Sequence, residues 1–225
     1  MLKALLHIFF PEVCSCCDTL LNDGEHVICT SCRHNLPVTQ FHLTNDQTAQ
    51  KVFYGRVKLE QATALLRFEK KNITQKLMHQ LKYKNQEAIG TVLGDWLGHD
   101  LKKIEAYNSI DMVIPVPLHK SKLKKRGYNQ AADFGRRLAA SLNAEYIDDV
   151  LIKITNTRSQ VTKNRLSRWT SKDTVFSIKN ENKINNKHIL LVDDIITTGA
   201  TLEACAQLLQ SQPNVKISIA AMAIA

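Results

Sequence analysis

The sequence predicts an α/β protein with a mainly parallel central sheet flanked by helices, preceded by a small metal-binding unit. Three observations carry this. Ile189 to Val192 is an unbroken apolar run that stops at two acids, Asp193 and Asp194, and a helical pattern follows. That is how a strand buried on both faces of a parallel sheet reads. Ile110 to Leu118 (IDMVIPVPL) is a second such run. It is stopped by Pro115 and Pro117, which lack the N–H that a sheet ladder needs. Near the amino end, Cys14-x-x-Cys17 and Cys29-x-x-Cys32 stand eleven residues apart, a spacing that closes a tetrahedral four-thiolate site.

The 225 residues suffice for one substantial α/β domain and a small appendage. The boundary is expected near residue 48, giving a knuckle unit over 1–48 and the main domain over 49–225. No stretch is long and apolar enough to span a bilayer. The opening MLKALLHIFF carries one lysine, an apolar run broken by His7, and no small-residue cleavage site before Pro11-Glu12. It reads as a short amphipathic helix docked on the body, which predicts a cytoplasmic protein. The formal net charge of +9 suits a polyanionic partner, nucleic acid or phosphorylated small molecule alike. Charge alone does not choose, and solvated surface explains most of it.

The knuckle spacer contains Asn22-Asp23-Gly24, a turn signal between short strands. Disulfides would be out of place in a cytosolic chain, and a redox dithiol would want a βαβ context. With all four ligands supplied by protein, the metal at Cys14, Cys17, Cys29 and Cys32 would be structural. Cys16 is the odd member and leaves the alternative set C-x-C open. The polar stretch from Leu36 to about Lys51 reads as a linker. Ala62 to Glu69 reads as a strand. Asn72 or Thr74 starts a helix with Ile73, Leu77 and Leu81 on one face, and a longer one follows with Ile89 to Leu101 and a core Trp96. Beyond the Ile110 strand, His119 to Gly127 reads as a basic loop, with Arg126 at the start of the next helix. An arginine fork there can grip two phosphate oxygens. Tyr146 to Ile154 and Val175 to Ile178 read as short strands. Thr157 to Arg168 is polar and basic with few apolar anchors. Val215 to Ala225 reads as a last strand at the sheet edge, and Cys205 as a small core residue.

The acids after Val192 sit at the carboxyl end of their strand, the edge where open α/β sheets bind ligands. Thr197, Thr198, Gly199, Ala200 and Thr201 open the next helix, whose free N–H groups suit a phosphate. Two carboxylates beside it can take sugar hydroxyls. The arrangement suits a ribose 5-phosphate. The bland alternative is a buried strand with an acid-capped turn. A receiver domain also ends a strand in paired acids, but near its start rather than before the last helix and strand.

LLVDDIITTGAT resembles the phosphoribosyl diphosphate (PRPP) motif of the type I phosphoribosyltransferases. PVPLHKSKLKKRGYNQA resembles the P-V-P…R-G-[FY]-N-Q-A signature of the ComF family, the competence-associated phosphoribosyltransferase homologues. The cysteine pairs followed by Leu-Pro, and the run Leu81-Lys82-Tyr83, fit the same family. The resemblance implies a type I phosphoribosyltransferase-like fold with a zinc-ribbon-like unit, binding PRPP with Mg²⁺ and holding structural Zn²⁺. It implies catalytic roles for Asp193, Asp194 and Arg126, a 5-phosphate loop at Thr197 to Thr201, and a diphosphate pocket at Pro115, Val116, Pro117 and Arg126. A flexible loop would carry Arg158, Gln160, Lys163, Arg165 and Arg168. The family's asparagine three residues after the loop arginine is replaced here by Ser171, which leaves the alignment beyond Arg168 open. Two functions follow: transfer of a phosphoribosyl group with release of pyrophosphate, or an accessory role in DNA uptake, with DNA or a competence ATPase as partner.

Overall fold

The computed structural model describes residues 11–154 and 175–225. Five strands form one parallel sheet: β1 (Ala62–Arg67), β2 (Met112–Pro115), β3 (Glu145–Tyr146), β6 (His188–Ile196) and β7 (Lys216–Ile224), in the order β1-β7-β6-β2-β3. A separate antiparallel ribbon pairs β4 (Leu151–Lys153) with β5 (Phe176–Ile178). The helices are α1 (Thr30–Asn35), α2 (Phe41–Thr44), α3 (Thr48–Lys51), α4 (Ile73–Tyr83), α5 (Ala88–Leu101), α6 (Lys120–Arg126), α7 (Gln130–Leu142) and α8 (Ala200–Gln210).

The sheet is covered on both faces, as parallel sheets require. Period-2 alternation along β6 sends Leu190 and Val192 into a core with Leu93, Leu97, Phe134 and Leu138 of α5 and α7. Ile189 and Leu191 enter the opposite core with Leu202, Cys205 and Leu209 of α8. Cys205 is fully buried, as expected. Helices α5 and α7 approach closely at Gly94, where a Cβ would lie 2.8 Å from the Arg137 Cβ and 2.9 Å from the Phe134 carbonyl oxygen.

Four expectations are corrected. The last strand is not at the edge: β7 lies between β1 and β6 and is buried from Ile217 to Ile224. Its alternating look came from Ser218, which is buried and bonded to the His188 ring at 2.9 Å. The real edges are β1 and β3. The stretch read as a linker is folded against β1: Phe41, Ala49 and Phe53 are buried, and Thr39 N–H donates to the Leu65 carbonyl at 2.9 Å. Its apolar residues are few, but Leu36, Phe41 and Ala49 are buried, while Leu43 stays exposed. The basic loop is the helix α6, capped by His119, whose Nδ1 accepts from Ser121 N–H at 3.2 Å. Arg126 therefore ends a helix rather than starting one. Gly127, at φ +87°, is its left-handed C-cap, and cations in that last turn suit the helix dipole.

Asn72 caps α4, and the Asn22–Gly24 turn forms with Gly24 at φ +84°. Trp96 is only partly buried, with the Arg33 guanidinium 5.0 Å from its ring. The knuckle shares a hydrophobic core with α4 and α5. The opening segment and the Arg158, Gln160, Lys163, Arg165 and Arg168 stretch lie outside the described residues. Among the described residues, no helix is long and apolar enough to cross a membrane.

Candidate functional site

Strand β6 delivers Asp193 and Asp194 to the carboxyl edge of the sheet, between β7 and β2. The pleat that sorts Val192 from Leu191 sorts the acids too. Asp194 turns toward α4, where Lys82 Nζ lies 3.0 Å from its Oδ1. Asp193 turns toward the α8 side, where Lys153 and Cys205 are its electrostatic neighbours. The Asp194 N–H donates to Asp193 Oδ1 at 2.8 Å. Burial, then the charge of Asp194, push the Asp193 carboxyl up to about 7. Burial and the nearby Lys122 hold the Lys153 ammonium below its ordinary range.

After β6 the chain turns through Thr197 and Thr198 to Gly199, the N-cap of α8, at φ +76° and without a side-chain cap. Asp193, Ile195 and the run Thr197 to Leu202 line a small cavity of about 40 Å³. Backbone N–H groups at the start of an eleven-residue helix thus surround a depression with one acid at its wall.

The residues expected at a single diphosphate pocket divide between two cavities. Pro115 and Pro117 line a large one of about 710 Å³, with Tyr128, Asn129, Lys153 and Lys179. Val116 is buried, and its N–H extends the β2 ladder to Val192 O at 2.8 Å. Arg126 lines a separate cleft of about 300 Å³ with Lys82, Tyr83, Asn85, Lys122 and Lys125. Its guanidinium lies 5.5 Å from the centre of the Tyr83 ring. The Tyr128 hydroxyl donates to the Leu81 carbonyl, which joins the R-G-Y and L-K-Y runs in space. Lys82 is the residue that sequence reasoning missed. It was visible only as the middle of Leu81-Lys82-Tyr83, and nothing in its spacing announced the contact with Asp194.

At the amino end, the sulfurs of Cys14, Cys17, Cys29 and Cys32 lie within 4.8 Å of one another and could hold a metal ion. Cys17 Sγ and Cys29 Sγ are 3.8 Å apart, about the edge of a tetrahedron with ~2.3 Å metal–sulfur bonds. Backbone N–H groups of Cys16 and Cys29 donate to Cys14 Sγ at 3.4 and 3.3 Å, and Cys32 N–H donates to Cys29 Sγ at 3.4 Å. Such donors suit thiolates. Cys16 is outside the four-sulfur set, and all six cysteines are free.

The phosphoribosyl transferase domain family matches residues 129–223. Competence protein F of Haemophilus influenzae is 29% identical over 138 residues, 60% of this chain and 60% of that protein. The DNA utilization protein YhgH of Escherichia coli O157:H7 is 27% identical over 203 residues, 88% of this chain and 83% of that protein. Competence protein ComFC of Streptococcus pneumoniae is 32% identical over 129 residues, 57% of this chain and 53% of that protein. Among solved structures, the glutamine PRPP amidotransferase of B. subtilis is similar at a TM-score of 0.43 and 18% identity, over 63% of this chain and 30% of that one. A phosphoribosyl transferase domain match over its carboxyl-terminal part, and competence and DNA utilization proteins among its relatives, support reading the chain as type I phosphoribosyltransferase-like and similar to the ComF family.

Proposed function

We propose that this chain binds PRPP at the carboxyl edge of β6 and transfers its 5-phosphoribosyl group to an acceptor, releasing pyrophosphate. One observation carries the reading: a fully buried parallel strand runs into two acids and then into a Gly199-capped helix, around a small cavity. The Thr197 to Thr201 turn would hold the 5-phosphate through N–H groups and hydroxyls. Asp193 and Asp194 would take the ribose hydroxyls. The bond from the anomeric carbon to the diphosphate breaks as the bond to the acceptor forms. Positive charge then builds on the sugar ring beside Asp194, and negative charge on the leaving group. The cleft of Lys82, Lys122, Lys125 and Arg126 supports a place for that leaving group. Mg²⁺ bound with the diphosphate would supply further charge neutralisation, and Asp193 and Asp194 offer carboxylates near it. The large cavity behind Pro115 and Pro117 is then open to the acceptor. The knuckle thiolates would hold Zn²⁺ in a structural role, which suits a reducing, cytoplasmic setting.

The names of the relatives favour a second reading, in which the same site senses PRPP or a nucleotide while the chain serves DNA uptake, with DNA or an ATPase as partner. Fold alone does not choose between these. PRPP with Mg²⁺ is expected to raise the melting temperature, and Asp193→Asn with Asp194→Asn to abolish the rise. No shift at millimolar PRPP would sink both readings. Pyrophosphate release with a panel of nucleobases separates transferase from sensor. Salt-dependent binding of single-stranded DNA that survives loss of the acids would favour the accessory role.

A further inference from the structure

The segment between α3 and β1 crosses the back of the Thr197 to Thr201 turn. A Cβ on Gly199 would lie 2.8 Å from the Phe53 ring and 2.8 Å from Val52 Cγ1. The strap therefore touches the turn with no space between them. Arg56 makes the polar contact. Its Nη2 donates to the Thr198 carbonyl at 3.2 Å, and also to the carbonyl of Val52. Its Nη1 donates to Glu203 Oε2 at 2.6 Å, in the first turn of α8. Gln207, one turn further along α8, donates to the Arg56 carbonyl at 3.2 Å. The fork is thus fixed to the helix whose start it serves.

Peptide planarity gives this contact a consequence. In a trans peptide the C=O and N–H point in opposite directions, and the described residues contain no cis bond. Holding the Thr198 carbonyl toward Arg56 aims the Gly199 N–H away from the strap. The cavity at the turn has no strap residue in its wall, so it opens on that other side. We propose that Arg56 is a positioning residue, which holds the Thr198–Gly199 peptide with its N–H presented to the 5-phosphate. The inference rests on the PRPP reading of the turn. A stabilising role alone is a poor explanation, since the Arg56 side chain is 38% exposed and exposed ion pairs contribute little.

The test is calorimetric titration of the full chain with ribose 5-phosphate and, separately, with magnesium pyrophosphate. Arg56→Gln is expected to weaken ribose 5-phosphate about tenfold, the worth of one hydrogen bond to a charged group, while pyrophosphate affinity stays within about twofold and the melting temperature moves little. Arg56→Lys, which keeps the charge but not the fork, recovers part of the loss. If Arg56→Gln loses its fold, Arg56→Lys decides, through a selective loss for ribose 5-phosphate. Unchanged ribose 5-phosphate affinity, or an equal loss for both ligands, overturns the assignment. A wild-type chain that binds no ribose 5-phosphate overturns the PRPP reading first, and this inference with it.

Discussion

Replacing Asp193 by asparagine should stabilise the protein, and more so at high pH. The carboxyl is pushed from an ordinary value of 3.8 to about 7 by burial and by the charge of Asp194. A folded-state value above the unfolded one means that the folded chain binds the extra proton between those limits. Stability is therefore fully present near pH 4 and declines as pH rises toward 7. The full interval corresponds to about 4 kcal/mol at 1.36 kcal/mol per pH unit. Asparagine keeps an oxygen that can accept the Asp194 N–H, held at 2.8 Å in the wild type, but loses the charge that strengthens that bond, a difference of about 1 kcal/mol. The net gain at pH 8 should be about 1–3 kcal/mol, roughly 3 kcal/mol more than at pH 5, where most of the penalty is absent. For a chain of this length that difference is about 6–12 °C in melting temperature. His42 and His188 are also buried and held below their ordinary range, but both proteins carry them, so they cancel. Thermal melts of wild type and Asp193→Asn at pH 5 and pH 8 decide the matter. A gain equal at both pH values, or a loss at pH 8, would refute the reasoning.

Lys82→Met should destabilise by about 1–3 kcal/mol, between the exposed and buried limits for breaking one partner of an ion pair, because both side chains are mostly buried and 3.0 Å apart. Urea unfolding measures it, and the loss should shrink when Asp194→Asn is already present. Elemental analysis of freshly purified protein should give one zinc per chain. Cys16→Ser should keep that zinc and Cys29→Ser should lose it, since Cys16 lies outside the four-sulfur set.

The buried elements were legible because their chemistry is local. Ile189 to Val192, an apolar run stopped by two acids, reads locally as a strand covered on both faces, and the small-residue turn around Gly199 before a helical stripe reads as a helix start. The cysteine spacing pointed to Cys14, Cys17, Cys29 and Cys32, and the structure, which brings those four sulfurs together, leaves Cys16 out. What stayed hidden depended on neighbours far along the chain. The position of β7 inside the sheet follows from pairing with β1 and β6, which no feature within Lys216 to Ile224 encodes. Alanines at 220, 221 and 223 look weak as strand residues, yet all three are fully buried. The contact of Lys82 with Asp194 spans more than a hundred residues, and that of Arg56 with Thr198 spans 142. The run Lys120 to Arg126 was misread for a different reason. Its charge has no helical stripe, and the helix buries no side chain at all. Only its two caps mark it as helical.

That helix poses a physical problem whose answer is testable. Seven residues are too few for a stable helix in isolation. Five of the seven in α6 are lysine or arginine, and none is acidic. Like charges at helical spacing repel. The caps at His119 and Gly127, and the Arg126 contact with Tyr83, are what hold it against this repulsion. A strongly basic, unburied helix beside a cleft already lined by Lys82 should be among the least stable parts of the fold. An anion in that cleft would remove the repulsion that loosens it. Magnesium pyrophosphate should therefore slow amide hydrogen exchange across Lys122 to Gly127 by about tenfold or more, while β6 and β7, buried at the centre of the sheet, stay unchanged. Tenfold corresponds to ~1.4 kcal/mol of local stabilisation, which relief of a few unfavourable pairs can supply. Inorganic phosphate should do less, because it spans fewer of the cations. Exchange in α6 that ignores pyrophosphate would mean that its charges face solvent alone and that the diphosphate sits elsewhere.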